Sequence, residues 1–142
     1  MTTKELGNLG EKLACEYLVK KGFNILGKND RISFGGHNTA PFFGEIDIIA
    51  RKKWQKLPLF SRPERPIHFI EVKAIIGSEG FFPEDHVNYK KQRKLRQLAH
   101  IWLQRNNLGF NQSYQIDIIG IVVNETTRKA KLHYFPNTVE DI

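Results

Sequence analysis

Two short apolar runs carry acids where a buried strand should have none: Gly44-Glu45-Ile46-Asp47-Ile48-Ile49-Ala50 and Phe69-Ile70-Glu71-Val72-Lys73-Ala74. Taking an unpaired carboxylate out of water costs several kcal/mol unless its pKa rises until it neutralises, so acids embedded in strand-like runs need a cationic partner. Side chains alternate along a strand with period two, which places Phe69, Glu71 and Lys73 on one face and Ile70, Val72 and Ala74 on the other. The same rule groups Glu45, Asp47 and Ile49 against Ile46, Ile48 and Ala50. Pairing the two strands brings Asp47 within reach of Glu71, with Lys73 beside them. Hard oxygen ligands of this kind suit Mg²⁺ or Mn²⁺ better than zinc and serve phosphoryl chemistry. The bland alternative is a same-face Glu71–Lys73 ion pair on a half-exposed strand, worth little. Glu-Val-Lys taken alone fits that alternative better, because three-residue matches are frequent by chance.

The remaining elements frame these strands. Leu6, Leu9, Leu13 and Tyr17, with Gly10, Ala14 and Leu18 alongside, recur at the helical period over residues 4–21, and Gly22 supplies the stop. Phe23–Leu26 reads as a short strand, followed by a turn-rich stretch through Gly35, Gly36 and Pro41. The prolines of the 52–66 connection exclude a regular interior element, and its Trp54 and Phe60 are either a stacking surface for nucleic acid or the cover of a small apolar cluster. A second helix spans Tyr89–Arg105, with Leu95, Leu98, Ala99, Trp102 and Leu103 on its core face. Tyr114–Val123 has the β-branched density of a strand buried on both faces, and Lys129–Phe135 alternates as a closing strand. The expected architecture is an α/β fold, a central mixed β-sheet flanked by helices. Its 142 residues fit one domain, 1–142.

No apolar run approaches the ~20 residues that span a bilayer, and the N-terminus has no signal-peptide core, so a soluble, cytoplasmic protein with no membrane partner is expected. Cys15, the single cysteine, cannot form an internal disulfide and lies opposite the apolar stripe of its helix, which reads as a surface thiol. The five histidines show no short ligand pair, and most read as ordinary polar positions. A net charge of +7 indicates a polyanionic partner, with nucleic acid ahead of an anionic membrane surface. The charge is concentrated in Lys90, Lys91, Arg93, Lys94 and Arg96, the candidate nucleic-acid-binding residues, together with the basic loop from Arg51 to Arg65.

An ordered series of segments resembles the bacterial YraN (UPF0102) family nearly end to end. It comprises Leu6-Gly7, Gly10-Glu11-Lys12-Leu13-Ala14, Tyr17-Leu18, Gly22-Phe23, Ile25-Leu26, Asn29-Asp30-Arg31, the two acidic runs, Val87, Lys91, Leu95, Ile116-Asp117-Ile118-Ile119, His133 and Pro136-Asn137. That family looks like the archaeal Holliday junction resolvases of the restriction-endonuclease-like superfamily, with a PD-(D/E)xK site on a central mixed sheet. The resemblance implies that Asp47 and Glu71 are metal ligands, Lys73 the catalytic lysine and Glu11 the helix-borne acid that completes the site. It matches Lys91 to a helix lysine, which either points toward the site or snorkels over the core edge. Glu45 is either an outer partner of the site or a loop cap, Glu16 a solvated flank, and Asp117 a structural hydrogen-bonding residue. Ser33 to Phe43 and the connection through Pro58 to Pro66 are longer than the family pattern, so substrate specificity is not carried over.

The expectation is a metal-dependent endonuclease hydrolysing DNA phosphodiesters, with branched or junction DNA favoured by resemblance. One or two Mg²⁺ or Mn²⁺ ions would be held by Asp47, Glu71, the Val72 carbonyl and Glu11. The rival is a non-catalytic nucleic-acid-binding module acting in recombination, uptake or repair. A glycosidase with paired carboxylates explains neither Lys73 nor the basic helix. Monomer and homodimer both remain open.

Overall fold

The computed structural model describes residues 1–33, 42–54, 65–77, 87–109 and 111–137. Its order is α1 (Thr3–Lys20), β1 (Phe23–Ser33), β2 (Phe42–Lys52), β3 (Ile67–Ile76), α2 (Tyr89–Arg105), β4 (Tyr114–Asn124) and β5 (Lys129–Phe135). The expected order of elements is therefore found, with each strand except the last longer than the apolar patterning alone indicates. Most of the turn-rich stretch, most of the 52–66 connection and Phe60 lie outside the described residues.

Local chemistry starts each helix. Thr2 and Glu5 form a capping box: the Thr2 hydroxyl accepts from the Glu5 amide at 3.1 Å, and the Thr2 amide donates to Glu5 Oε2 at 2.7 Å. Asn88 caps α2 by accepting from the Lys91 amide at 2.9 Å. The five strands lie in sequence order, with β1–β2, β2–β3 and β4–β5 antiparallel and β3–β4 parallel. The parallel pair requires a crossover, which α2 supplies. The result is a mixed five-stranded sheet with two helices.

The sheet is buried on both sides. One apolar layer joins Ile46, Ile49, Phe69, Ile116 and Ile118 to Leu95, Leu98, Ala99 and Leu103 of α2. The other joins Ile48, Ala50, Ile70, Ile119 and Ile121 to Ala14, Cys15 and Leu18 of α1. Each fully buried Ile or Leu contributes roughly 1.5–3 kcal/mol relative to exposure. Cys15 is not the surface thiol that the helical wheel indicates: it is 8% exposed, because α1 sinks a face wide enough to include Gly10, Ala14, Cys15 and Leu18. Trp102 packs against the α2-side layer as expected, with its Nε1 donating to Asp30 Oδ2 at 3.2 Å.

Asp117 is fully buried on the α1 side of β4. It accepts from Gln115 Nε2 at 2.9 Å, from the Asn137 amide at 2.8 Å and from the Tyr134 hydroxyl, and meets His68 Nδ1 at 2.6 Å. Burial pushes its carboxyl up, but these hydrogen bonds outweigh burial and hold it below the ordinary carboxylate value. His68, 5% exposed, is consequently not an ordinary polar position.

α1 lies close on β3. A Cβ added at Gly10 would stand 2.8 Å from Ala74 Cβ, and neither short side chain can rotate away. Gly7, one turn earlier, has nothing within 4 Å. Gly7→Ala should therefore gain roughly 0.5–1 kcal/mol of helix propensity, whereas Gly10→Ala should lose roughly 1–2 kcal/mol through overpacking. Urea unfolding of both variants checks this, and equal stabilisation by both would contradict the close approach.

Candidate active site at the Asp47–Glu71 strand splay

β2 and β3 pair only at Ile48↔Ile70, Ile49↔Phe69 and Ala50↔His68. The next rung would be Asp47 opposite Glu71, and there the ladder stops. The Val72 amide donates instead to Asp47 Oδ2 at 2.8 Å, so a side-chain carboxylate stands where a backbone carbonyl would have closed the ladder. Strict alternation fails at the same point: Ile46 and Ile49 pack in one apolar layer and Ile48 in the other. The expected grouping of Ile46 with Ile48 is thus corrected. Regular pairing would have sealed the strands together, whereas the irregularity frees Asp47 to turn between them.

Glu71 lies on the α2 side, as period-two alternation requires, with its side chain 14% exposed. Lys91 Nζ stands 3.3 Å from Glu71 Oε1, so the lysine points into the site rather than merely covering the core edge. Glu71 Oε2 is buried and meets no N–H donor among the described residues, while the Glu71 and Asp47 carboxyls share a hydrogen bond when one of them is protonated. Lys73, exposed and two residues further along β3, acts on Glu71 through its charge. Glu11 reaches the site from α1: its carboxylate accepts from Asn29 Nδ2 at 3.1 Å and lines a cleft of about 400 Å³ together with Asp47. Val72 contributes its amide here, and its side chain packs in the α1-side layer. Glu45 sits inside β2, in register with Arg31, and is not a loop cap. Glu16 lines the same cleft and is exposed, in keeping with a solvated flank.

These placements crowd negative charge. Burial, then the Glu71 charge, push the Asp47 carboxyl from its ordinary 3.8 to about 7; Glu11 adds to the rise, and the Val72 amide opposes it. Burial likewise raises Glu71, against the charge and hydrogen bond of Lys91, a hydrogen bond with the Asp47 carboxyl and the charge of Lys73. Carboxylates crowded in this way offer hard oxygen donors, the ligand type that divalent cations such as Mg²⁺ take. Among the described residues no three His, Cys, Asp or Glu side chains form a ready-made ion cage, so the pair itself is the core of the site.

The basic residues separate into roles. Lys91 is engaged with Glu71, and the Lys94 stem lies over Gly44 of β2. Lys90 and Arg93 are exposed, with the Arg93 guanidinium over the Tyr89 ring. Arg51 and Arg65 serve packing as well as charge. Arg51 donates to Gln112 Oε1 at 2.5 Å and to the Arg65 carbonyl at 3.3 Å, and Arg65 donates to the Lys52 carbonyl and lies over Trp54. Sequence periodicity missed the contribution of β1, where Lys28 lines the cleft and Asn29 holds Glu11. No apolar pattern runs through that segment, and its only signal is the Asn-containing motif of the resemblance.

Because ionising Asp47 costs the folded state more than the unfolded chain, its contribution to stability is complete below about pH 3.8 and is lost as pH rises through about 7. In EDTA, Asp47→Asn should therefore be more stable than the parent at pH 8 by on the order of 1–3 kcal/mol, with the difference vanishing near pH 4. A pH series of thermal midpoints measures this. A destabilisation that does not change across the series would show that the carboxyl is not held neutral.

A profile of the uncharacterised protein family UPF0102 matches residues 10–121, which include Glu11, Asn29, Asp47, Glu71, Lys73 and Lys91. A UPF0102 protein of Desulforamulus reducens is 33% identical over 136 residues, 96% of each chain. One of Dictyoglomus turgidum is 31% identical over 137 residues, 96% of this chain and 98% of the relative. A third, of Clostridioides difficile, is 34% identical over 125 residues, 88% and 91% of the two chains. Profile and relatives alike span the strands and helices that assemble the site, and the chain belongs to the uncharacterised protein family UPF0102.

Proposed function

We propose that this protein is a metal-dependent DNA endonuclease whose centre is the Asp47–Glu71 pair. The observation that carries this reading is the pair itself: two desolvated carboxylates crowded at a strand splay, beside two lysines. Asp47 and Glu71 would hold Mg²⁺ or Mn²⁺, and Glu11, which lines the cleft with Asp47, adds negative charge from α1. The Val72 amide keeps Asp47 turned between the strands. A bound divalent ion supplies polarisation of a phosphate oxygen and a lowered pKa for attacking water. Lys73 and Lys91 place positive charge where a phosphodiester gains negative charge during in-line attack. Lys90, Arg93, Lys94 and Arg96 extend that charge along α2 and would hold the DNA backbone by counterion release. The antiparallel β1–β2–β3 run, the α2 crossover and an acid at the splay support placing the sheet with restriction-endonuclease-like folds. A soluble, cytoplasmic setting accords with the finding that no helix among the described residues is long and apolar enough to cross a membrane.

A second reading, the non-catalytic binding module, is favoured by one feature: Lys91 already pairs with Glu71 and partly neutralises it. Labelled duplex, single-stranded and four-way-junction DNA incubated with Mg²⁺, Mn²⁺ or EDTA separates the two. Cleavage is expected only with metal, and Glu71→Gln and Lys73→Ala should each lower it by about 10²-fold or more while DNA affinity persists. Retained binding with no cleavage of any DNA form in either metal would replace the enzyme with the binding module.

A further inference from the structure

β1 departs from regular strand geometry at the level of Asp47. Asn29 has φ +50°, in the left-handed region that costs a non-glycine residue roughly 1–2 kcal/mol. Consecutive strand residues normally point to opposite faces. Here Lys28 and Asn29 both turn toward α1, Lys28 lining the cleft beside Asp47 and Asn29 donating to Glu11. Asp30 returns to the other face, where it accepts from Trp102. β2 loses its own alternation at the same level, between Ile46 and Ile49. Two paired strands thus give up regularity together, and the result is a polar wall on one side of the cleft.

The opposite wall is α1, with Asn8, Glu11, Lys12, Cys15 and Glu16. The cleft, about 400 Å³, is within the ~300–1,000 Å³ of small-ligand sites and too narrow to take a duplex whole. Its chemistry is mixed: Lys28 on β1 and Lys12 on α1 stand on facing walls, among the carboxylates of Glu11, Glu16 and Asp47. A chain whose negative charges are spaced apart can meet Lys28 and Lys12 on the two walls while its sugar groups pass the acids between them.

We infer that the cleft between α1 and the β1 kink seats the sugar–phosphate chain of a single nucleic-acid strand leading to the Asp47–Glu71 pair, with Lys28 contacting a phosphate. The inference rests on the nuclease reading for the identity of its ligand, and it adds the path of the strand and a residue that meets it. Lys28 is exposed in the free protein, so ligand contact is measurable on the residue itself.

The test is lysine footprinting of the full chain in EDTA. Acetylation at each lysine is followed by mass spectrometry with and without a saturating 12-nucleotide single-stranded oligodeoxynucleotide. Lys28 should be protected at least about fivefold, while exposed Lys129, on the far strand β5, stays unchanged. In parallel, Lys28→Gln should weaken binding of the same oligonucleotide about three- to tenfold and lower the slope of log affinity against log salt by about 0.7, with Lys129→Gln near parental values. If the oligonucleotide binds while Lys28 remains unprotected and Lys28→Gln keeps affinity and slope, the strand runs elsewhere and the inference is overturned, even if metal-dependent cleavage is present. Failure of the parent to bind any oligonucleotide overturns it too. Protection of Lys28 without cleavage in any metal would leave the cleft assignment standing and remove the nuclease reading alone.

Discussion

The Val72 amide makes its hydrogen bond to the Asp47 carboxylate rather than to a backbone carbonyl of β2, and the rest of the site depends on that exchange. A sheet closes itself wherever two strands can continue their ladder, because an unpaired buried amide is costly. Asp47 satisfies the amide and stops the ladder in one interaction. β2 and β3 then separate without leaving the Val72 donor orphaned. The separation leaves Glu71 beside Asp47, and burial makes each carboxyl harder to ionise, with the Glu71 charge raising Asp47 further.

Contributions converge on this splay from both faces of the sheet. α2 brings Lys91 to Glu71 from one side, and α1 brings Glu11 from the other, held by Asn29 of the kinked β1. The core supports the arrangement by locking both helices. Gly10 allows α1 to approach Ala74, and Leu95, Leu98 and Ala99 seat α2 against Ile46 and Ile49. At the other end of the α1 face, the Asp117–His68–Tyr134 cluster shows the opposite treatment of a buried acid. Asp117 gathers enough hydrogen bonds to outweigh its burial and is held ionised, whereas for Asp47 and Glu71 burial outweighs their partners and pushes both toward neutrality.

Much of this was legible in the sequence, for identifiable reasons. The 3.6-residue period and the β-branched run of Tyr114–Val123 mark elements whose core faces are continuous, so α1, α2 and β4 could be placed. Glu71 and Lys73 follow period two in β3 because that strand is regular where they sit. Asp47 was legible as a residue but not as a geometry: alternation presumes a regular strand, and β2 is irregular at Asp47. β1 beyond Leu26 was missed because Gly27, Lys28, Asn29 and Asp30 carry turn chemistry, and the kink at Asn29 is part of that chemistry. Cys15 was misplaced because a narrow stripe underestimates how far a helix with Gly10 and Ala14 can sink into a sheet. The His68–Asp117 contact joins residues 49 apart, beyond the reach of any local pattern.

Membership in UPF0102 gives the chain relatives of nearly equal length without assigning them chemistry. The account therefore turns on whether the crowded carboxylates take a cation. Titration of the metal-free protein with Mn²⁺, following free Mn²⁺ by electron paramagnetic resonance, reads this without substrate or turnover. Saturable binding of one or two ions per chain, abolished in the Asp47→Asn/Glu71→Gln double variant, is the predicted result. Mn²⁺ uptake that is weak, unsaturating and identical in parent and double variant would contradict the site at its centre.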